Sequence, residues 1–311
     1  RGCRANPAER RAMSGWQGRG VANGATVTIG VFDGVHRGHQ ALIAHAVERA
    51  RVARRTAVVV TFDPNPLEVL RPEQAPTRLT SITRRCELIA ALEVDDVEVL
   101  PFTAELAAMS AQDFTTQVLL QRLDAREVVI GEGFRFGHRA QGSADTLRTA
   151  GLDVLEYGLV GEGAPVSSTR IRAAVAEGDL AAAAVMLGRA PEVDGVVVRG
   201  LQRGRDLGYP TANIAHHERA AVPADGVYAG RTEVAGRTFN AAISVGTNPT
   251  FEGTHRTVEA YLLDFDEDIY GQDVRVEVVQ RLRGMEAFDG VAELVAQMDE
   301  DVTRTREVLT P

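Results

Sequence analysis

The chain contains no lysine; all 34 of its basic residues are arginine. A Walker A loop, the β3 lysine of a protein kinase and a Schiff-base enzyme each need a lysine amine, so all three are excluded. Phosphate chemistry must draw instead on arginine, histidine, backbone N–H groups and metal. Two cysteines, Cys3 and Cys86, are too few for a disulfide framework. They suit a reducing compartment, so the cytoplasm is the expected location. No apolar run approaches the ~18 residues of a membrane helix, and no apolar signal-peptide core follows the arginine-containing N-terminus. Residues 1–24 lack periodicity and read as a disordered leader, with Met13 a candidate natural start. Aromatic residues are 5%, so the interior must rely on Ala, Val, Leu and Ile.

What is present fits a globular chain: 311 residues, 44% hydrophobic and 25% charged, long enough for two domains. The net charge of −9 is uneven. Residues 1–187 carry 21 Arg against 22 Asp or Glu, and residues 188–311 carry 13 against 21. An acidic second half binds a phosphate backbone poorly, so neither nucleic acid nor membrane is an expected partner. Oligomeric state has no signature in the sequence.

From Ala25 onward β-branched runs alternate with helical stretches: TVTIG, HQALIAHAVERARVA, TAVVVTF, SITRRCELIAALE, VEVLPF, AQDFTTQVLLQRL, REVVIG, TLRTA and LDVLEYG. This alternation is the mark of a parallel sheet wrapped by crossover helices. Two small helices, Ser168–Glu177 and Asp179–Leu187, close a first domain at residues 25–188. Beyond it, short strands are punctuated by Gly, Pro and Asp: GVVVRG, YPTANI, GVYAGRTEV, RTFNAAISV, TVEAYLLDF and VRVEVVQRLR. A second domain, residues 189–311, is therefore an antiparallel β-barrel, and helical spacing of Val291, Leu294, Val295, Met298 and Val302 adds a terminal helix. The fold class is α/β plus β.

TIGVFDGVHRGH ends a strand at Gly30, turns through Gly34 and Gly38 and starts a helix near His39. His36 and His39, three apart, would share one face beside unpaired N–H groups and the positive end of the helix dipole, a place that binds phosphate. A zinc alternative would use His36, His39 and His45 but has no ligand to complete it. VSSTRIR adds Ser167, Ser168 and Thr169 as hydroxyl donors or caps, with Arg170 and Arg172 inside the next helix. Taken together, TIGVFDGVHRGH and VSSTRIR resemble the two signatures of the nucleotidylyltransferase superfamily, which is Rossmann-like. The longer match looks like the bacterial bifunctional riboflavin kinase/FAD synthetase family, over residues 25–311.

That resemblance implies transfer of AMP from ATP to FMN with release of pyrophosphate. Under it, His36 and His39 stabilise charge on the triphosphate and Arg172 holds the departing pyrophosphate. Ser168 and Thr169 add hydroxyl contacts. Gly30, Phe32, Asp33 and Gly34 line the nucleotide side, and Phe62 and Asn65 of FDPNP lie toward the flavin. One position departs from the family, which commonly has Asn or Asp where GEGFRFG has Gly133. A kinase with weak or absent adenylyltransferase activity is therefore the alternative.

RGLQRGRDLGYPTANI sets Gly200, Gly204 and Gly208 ahead of Thr211 and Asn213, two apart on an extended segment and able to face one hard cation. GVYAG, SVGTNPTF and VEAYLLDFDEDIYG follow in an order that resembles the riboflavin kinase module. The resemblance implies that Thr211 and Asn213 bind Mg²⁺ with ATP, that the Gly200–Gly208 loop folds over the phosphates, and that Glu259 accepts the proton of riboflavin's 5′-hydroxyl. Asn248 and Thr250 are supporting contacts under the same match. Alternation places Glu259 with Tyr261 and Leu263, opposite Val258, Ala260 and Leu262. ATP is the expected co-substrate, and riboflavin, FMN and FAD are the flavins handled.

Overall fold

The computed structural model describes residues 23–158, 165–200, 204, 207–250 and 253–310. Most of the expected leader, residues 1–22, lies outside them, as do 201–203, 205 and 206 of the glycine loop and the side chains of Asn248 and Thr250. Two compact units result: Arg1–Pro76 with Ile82–Ser167, and Thr77–Ser81 with Ser168–Pro311.

The first unit is a five-stranded parallel sheet in the order β3-β2-β1-β4-β5, formed by β1 (Ala25–Ile29), β2 (Thr56–Asp63), β3 (Asp96–Pro101), β4 (Ala125–Gly131) and β5 (Asp153–Tyr157). β1 is central, and all five of its residues are buried because helices cover both faces. Alternation divides the strands between two layers. Val59 and Val129 meet Leu42, Ile43 and Ala46 of α1 (Arg37–Ala53), whereas Val58, Val60, Val128 and Ile130 meet Phe114, Val118, Leu119 and Leu147. Glu127, 2% exposed, is compensated by Arg49 at 2.6 Å, Arg55 at 3.3 Å and the Thr26 hydroxyl at 3.2 Å. The helix expected over AQDFTTQVLLQRL opens as α-helix at Ala111–Asp113 and widens to a π-helix at Phe114–Arg122. There the Thr115 hydroxyl donates to the Ala111 carbonyl at 2.7 Å, the side-chain-to-backbone competition that loosens regular helix.

In the second unit, β6 (Glu192–Val198), β7 (Ala212–His216), β8 (Gly226–Val234), β9 (Arg237–Thr250), β10 (Gly253–Leu262) and β11 (Asp273–Arg283) close a barrel in the order β10-β7-β6-β11-β8-β9. Period-2 burial fills it with Val258, Ala260 and Leu262 of β10 and Val274, Val276 and Val278 of β11. Leu263 is buried too, since β10 ends at Leu262 and the alternation ends with it. The helices Ser168–Glu177 and Leu180–Leu187 belong to this unit, and Leu180 joins the barrel core. So does Thr77–Ser81: Arg78 exchanges backbone hydrogen bonds with Arg219 (2.6 Å) and Ala221 (2.8 Å), and the Ser81 hydroxyl meets Asp194 at 2.6 Å. No helix among the described residues is long and apolar enough to cross a membrane.

The terminal helix, Val291–Leu309, is fastened by arginine–carboxylate forks, Arg306 to Asp264 and Arg283 to Asp301. The second is nearly dry, with Asp301 4% exposed. Asp301→Ala leaves the half-buried Arg283 guanidinium without its anion, so the unit should lose about 1–3 kcal/mol, read as a lower urea midpoint of its unfolding transition.

Candidate active sites

The first site forms where the parallel sheet reverses direction of growth. β1 lies between β2 and β4, so the loops leaving the carboxyl ends of β1 and β4 part and open a crevice, where open α/β sheets take ligands. The β1 loop is tightly wound: Phe32 (φ 51°), Gly34 (φ 83°) and Val35 (φ 38°) occupy the left-handed region. Such conformations cost about 1–3 kcal/mol for non-glycine residues and persist only where the surroundings fix them. A Cβ on Gly30 would stand within 3 Å of the Phe32 ring, so glycine lets that ring fold back over the strand end. The Val35 N–H closes on the Phe32 carbonyl at 3.0 Å, and Gln40 donates its amide to the Val35 carbonyl at 2.8 Å.

His36 ends this loop as the N-cap of α1, which begins at Arg37, earlier than the sequence pattern suggests. Its Nδ1 accepts the backbone N–H of His39 at 3.3 Å. An accepting ring nitrogen carries no hydrogen, so the hydrogen is on Nε2 and that edge donates. The two imidazoles stack with centroids 3.5 Å apart, and His39 stands edge-on to Phe32 at 5.2 Å. Both rings thus sit at the N-terminus of a 17-residue helix, at the positive end of its dipole. His45, the third member of the zinc alternative, is further along α1, tilted against Tyr157 at 5.1 Å and 3.6 Å from Glu48.

Asp33 is 2% exposed and faces inward, with Arg85 Nη2 3.7 Å away. Arg85, on the helix Ile82–Ala90, is itself 2% exposed and was not singled out from the sequence. A signal was there: it shares the helix's buried face with Ile89, an apolar position occupied by a charge. On the flavin side of the expected site, Phe62 packs edge-on to Phe102 at 5.8 Å. Asn65 caps the short helix Pro66–Leu70, its Oδ1 accepting the Leu67 N–H at 3.0 Å. Gly133 has φ 74° with open space where a Cβ would be, a conformation Asn also tolerates. Cys86 is free, and burial pushes its thiol up to about 11, which keeps it protonated and unreactive at neutral pH.

In the second unit, Ser168 and Thr169 open the helix that also carries Arg172, whose Nε donates to the Thr77 carbonyl at 2.6 Å. The other constellation lies on the outer face of the barrel. Inward Ala212 and Ile214 leave Thr211 and Asn213 outside, and inward Val258 and Ala260 leave Glu259 outside, register-paired with Asn213. The Thr211 hydroxyl donates to Glu259 Oε2 at 3.1 Å across 48 residues of sequence. Two described glycines lie close to these groups: a Cβ on Gly200 would fall within 3 Å of the Asn213 amide, and one on Gly204 within 3 Å of the Tyr209 carbonyl and 3.7 Å from the Thr211 hydroxyl. Gly208 has φ 87° and open space. Tyr209 packs edge-on to Tyr261 at 5.3 Å and donates its hydroxyl to Asp299 of the terminal helix, a bond that pushes the phenol up to about 12. This tie was not foreseen either, because neither residue belongs to a motif.

Gly200→Ala should therefore displace Asn213 or the loop. The expected loss of FMN formation is about 10- to 100-fold, the scale of a misplacement near 1 Å. It is measured by flavin chromatography beside unchanged FAD formation from supplied FMN.

Two folds, each with a constellation of candidate residues of its own, define a transferase with two candidate active sites. The comparisons with known proteins name the kind. A family model described as FAD synthetase matches residues 19–170, and one described as riboflavin kinase matches residues 187–309. The Bifunctional riboflavin kinase/FMN adenylyltransferase of Escherichia coli (strain K12) is 35% identical over 295 residues, covering 91% of this chain and 92% of that protein. The protein of the same name from Bacillus subtilis (strain 168) is 32% identical over 286 residues, covering 89% and 90%. A crystal structure titled as a macrolide-efflux protein from Streptococcus pneumoniae superposes with a TM-score of 0.83 at 34% identity, over 92% of this chain and 95% of that one. The chain belongs to the bifunctional riboflavin kinase/FMN adenylyltransferase family.

Proposed function

We propose that the protein makes FAD from riboflavin in two ATP-dependent steps in the cytoplasm. Residues 189–311 phosphorylate riboflavin to FMN, and residues 25–188 adenylylate FMN with release of pyrophosphate. The observation that carries the reading is the meeting of Thr211, Asn213 and Glu259 beneath Gly200 and Gly204 on one barrel face.

In the kinase step the 5′-hydroxyl of riboflavin attacks the γ-phosphorus of ATP in line, and ADP leaves. Glu259 takes the hydroxyl proton, and the Thr211 hydroxyl holds its carboxylate in orientation. The backbone at Gly200 and Gly204 approaches the phosphates as only residues without a Cβ can. Thr211, Asn213 and Glu259 offer oxygen donors alone, a set that fits Mg²⁺, which keeps waters and shares substrate phosphates instead of requiring an all-protein cage. Bound there by Thr211 and Asn213, the ion would supply charge neutralisation on the triphosphate.

In the adenylyl step an FMN phosphate oxygen attacks the α-phosphorus of ATP, and the bond to the pyrophosphate oxygen breaks. The protein positions charge and forms no covalent intermediate. His36 donates from Nε2 and His39 lies stacked beside it, so both meet charge that grows on the triphosphate. Gly30, Phe32 and Gly34 form the wall on the nucleotide side, and Phe62 and Asn65 the approach for the flavin.

Incubation of the protein with riboflavin, ATP and Mg²⁺, followed by chromatography of the flavins, tests both steps. FMN then FAD is the expected order of appearance. FMN that accumulates without FAD, even when FMN is supplied, would leave the kinase alone, with Gly133 the first position to exchange. Absence of both products would overturn the reading.

A further inference from the structure

We infer that Arg85 is a positioning residue for adenylyl transfer, a role that rests on the assignment of that reaction to the first unit. Its guanidinium reaches two places at once. One is the wound loop after β1, through Asp33 at 3.7 Å. The other is the end of β2, where Nη1 donates to the Phe62 carbonyl at 3.1 Å and lies 3.5 Å from the Thr61 hydroxyl. Thr61 in turn donates that hydroxyl to the Val31 carbonyl at 2.9 Å, inside the same wound loop. Arg85 and Thr61 therefore clamp the loop that ends in His36 to the strand end that carries Phe62 and leads to Asn65.

Three features point to positioning and not to core stability alone. A buried ion pair is an inefficient stabiliser, since an apolar pair of the same shape commonly does as well or better. Among the groups Arg85 meets are a loop carboxylate, a strand-end carbonyl and the hydroxyl that holds the loop carbonyl of Val31, so its guanidinium fixes loop and strand end to each other. And that loop holds Phe32 and Val35 in left-handed conformations, which need outside restraint to persist in residues with a Cβ. Released from the clamp, the loop relaxes toward ordinary φ values and carries His36, and with it the stacked His39, off line.

The test compares Arg85→Met, Arg85→Lys and Thr61→Val in the full chain, with kcat and KM measured for FAD formation from FMN and Mg·ATP. FMN formation from riboflavin is measured on the same preparations. Arg85→Met should lower kcat for FAD by about 10- to 100-fold, the cost of misplaced catalytic groups. KM for ATP should move less than about threefold, because an aligned transition state is lost and not ground-state binding. Arg85→Lys keeps the charge without the planar fork and should recover part of the loss. Thr61→Val, which replaces only a hydroxyl, should lower kcat in the same direction and decides the matter if Arg85→Met fails to fold. FMN formation should stay at the parent value throughout. Parent-level FAD turnover in either Arg85→Met or Thr61→Val, or a loss in Arg85→Met that only tracks its unfolded fraction with no recovery in Arg85→Lys, would overturn the inference. A parent protein that converts no FMN would instead overturn the adenylyl-transfer reading itself, and this inference with it.

Discussion

His36→Ala should reduce FAD formation by about 10²- to 10³-fold, the usual loss when one donor to developing charge is removed from an active site. The alanine removes the Nε2 donor and also the N-cap that accepts the His39 N–H, so the stacked partner ring loses its support. Helix α1 should survive, because loss of a cap costs only about 1 kcal/mol and Leu42, Ile43, Ala46, Val47 and Ala50 still bury its apolar face. FMN formation from riboflavin should be unchanged, as every group proposed for it lies in the other unit. Chromatography of the products at fixed times separates the two rates. Parallel loss of both would contradict independent sites, and unchanged FAD formation would remove His36 from the chemistry.

Glu259→Gln should give the opposite pattern. Removing a general base commonly costs about 10²- to 10⁴-fold, so FMN formation should nearly stop while FAD continues to form from supplied FMN. The substitution is close to isosteric, and Gln can still accept the Thr211 hydroxyl hydrogen bond. Val258, Ala260 and Leu262 face the core whichever residue occupies 259, so β10 keeps its packing. KM for riboflavin and ATP should change little, since what is lost is a proton acceptor in the transition state. A variant with parent kcat would assign Glu259 to a solvated strand face.

Much of this arrangement could be read from the chain before its structure. Alternation of β-branched runs with helical stretches gives the parallel sheet, because a strand buried on both faces has to be apolar throughout, as ATVTI nearly is. Period 2 in TVEAYLLDF gives the outward face of Glu259. The glycine loop was legible in part: glycines at 200 and 204 suggest a close approach, yet only the fold reveals that Asn213 and the Tyr209 carbonyl are what they approach. Arg85 was hidden because its meaning depends on Asp33 and Phe62, which are local to nothing in its own helix. The widening at Phe114–Arg122, where the Thr115 hydroxyl bonds the Ala111 carbonyl, is encoded in no hydrophobic period. Thr77–Ser81 carries no signal in the sequence, and its backbone exchange with Arg219 and Ala221 is invisible at that separation.

That five-residue graft carries a practical lesson for anyone wishing to study phosphorylation in isolation. Trimming the polypeptide ahead of residue 189 would strip the barrel of Leu180, of a neighbour for the backbone at Arg219 and Ala221, and of the hydroxyl that satisfies Asp194. Raw apolar surface and open main-chain polar groups invite self-association. Kinetic dissection is thus better pursued by silencing one centre within an intact polypeptide than by amputating its neighbour.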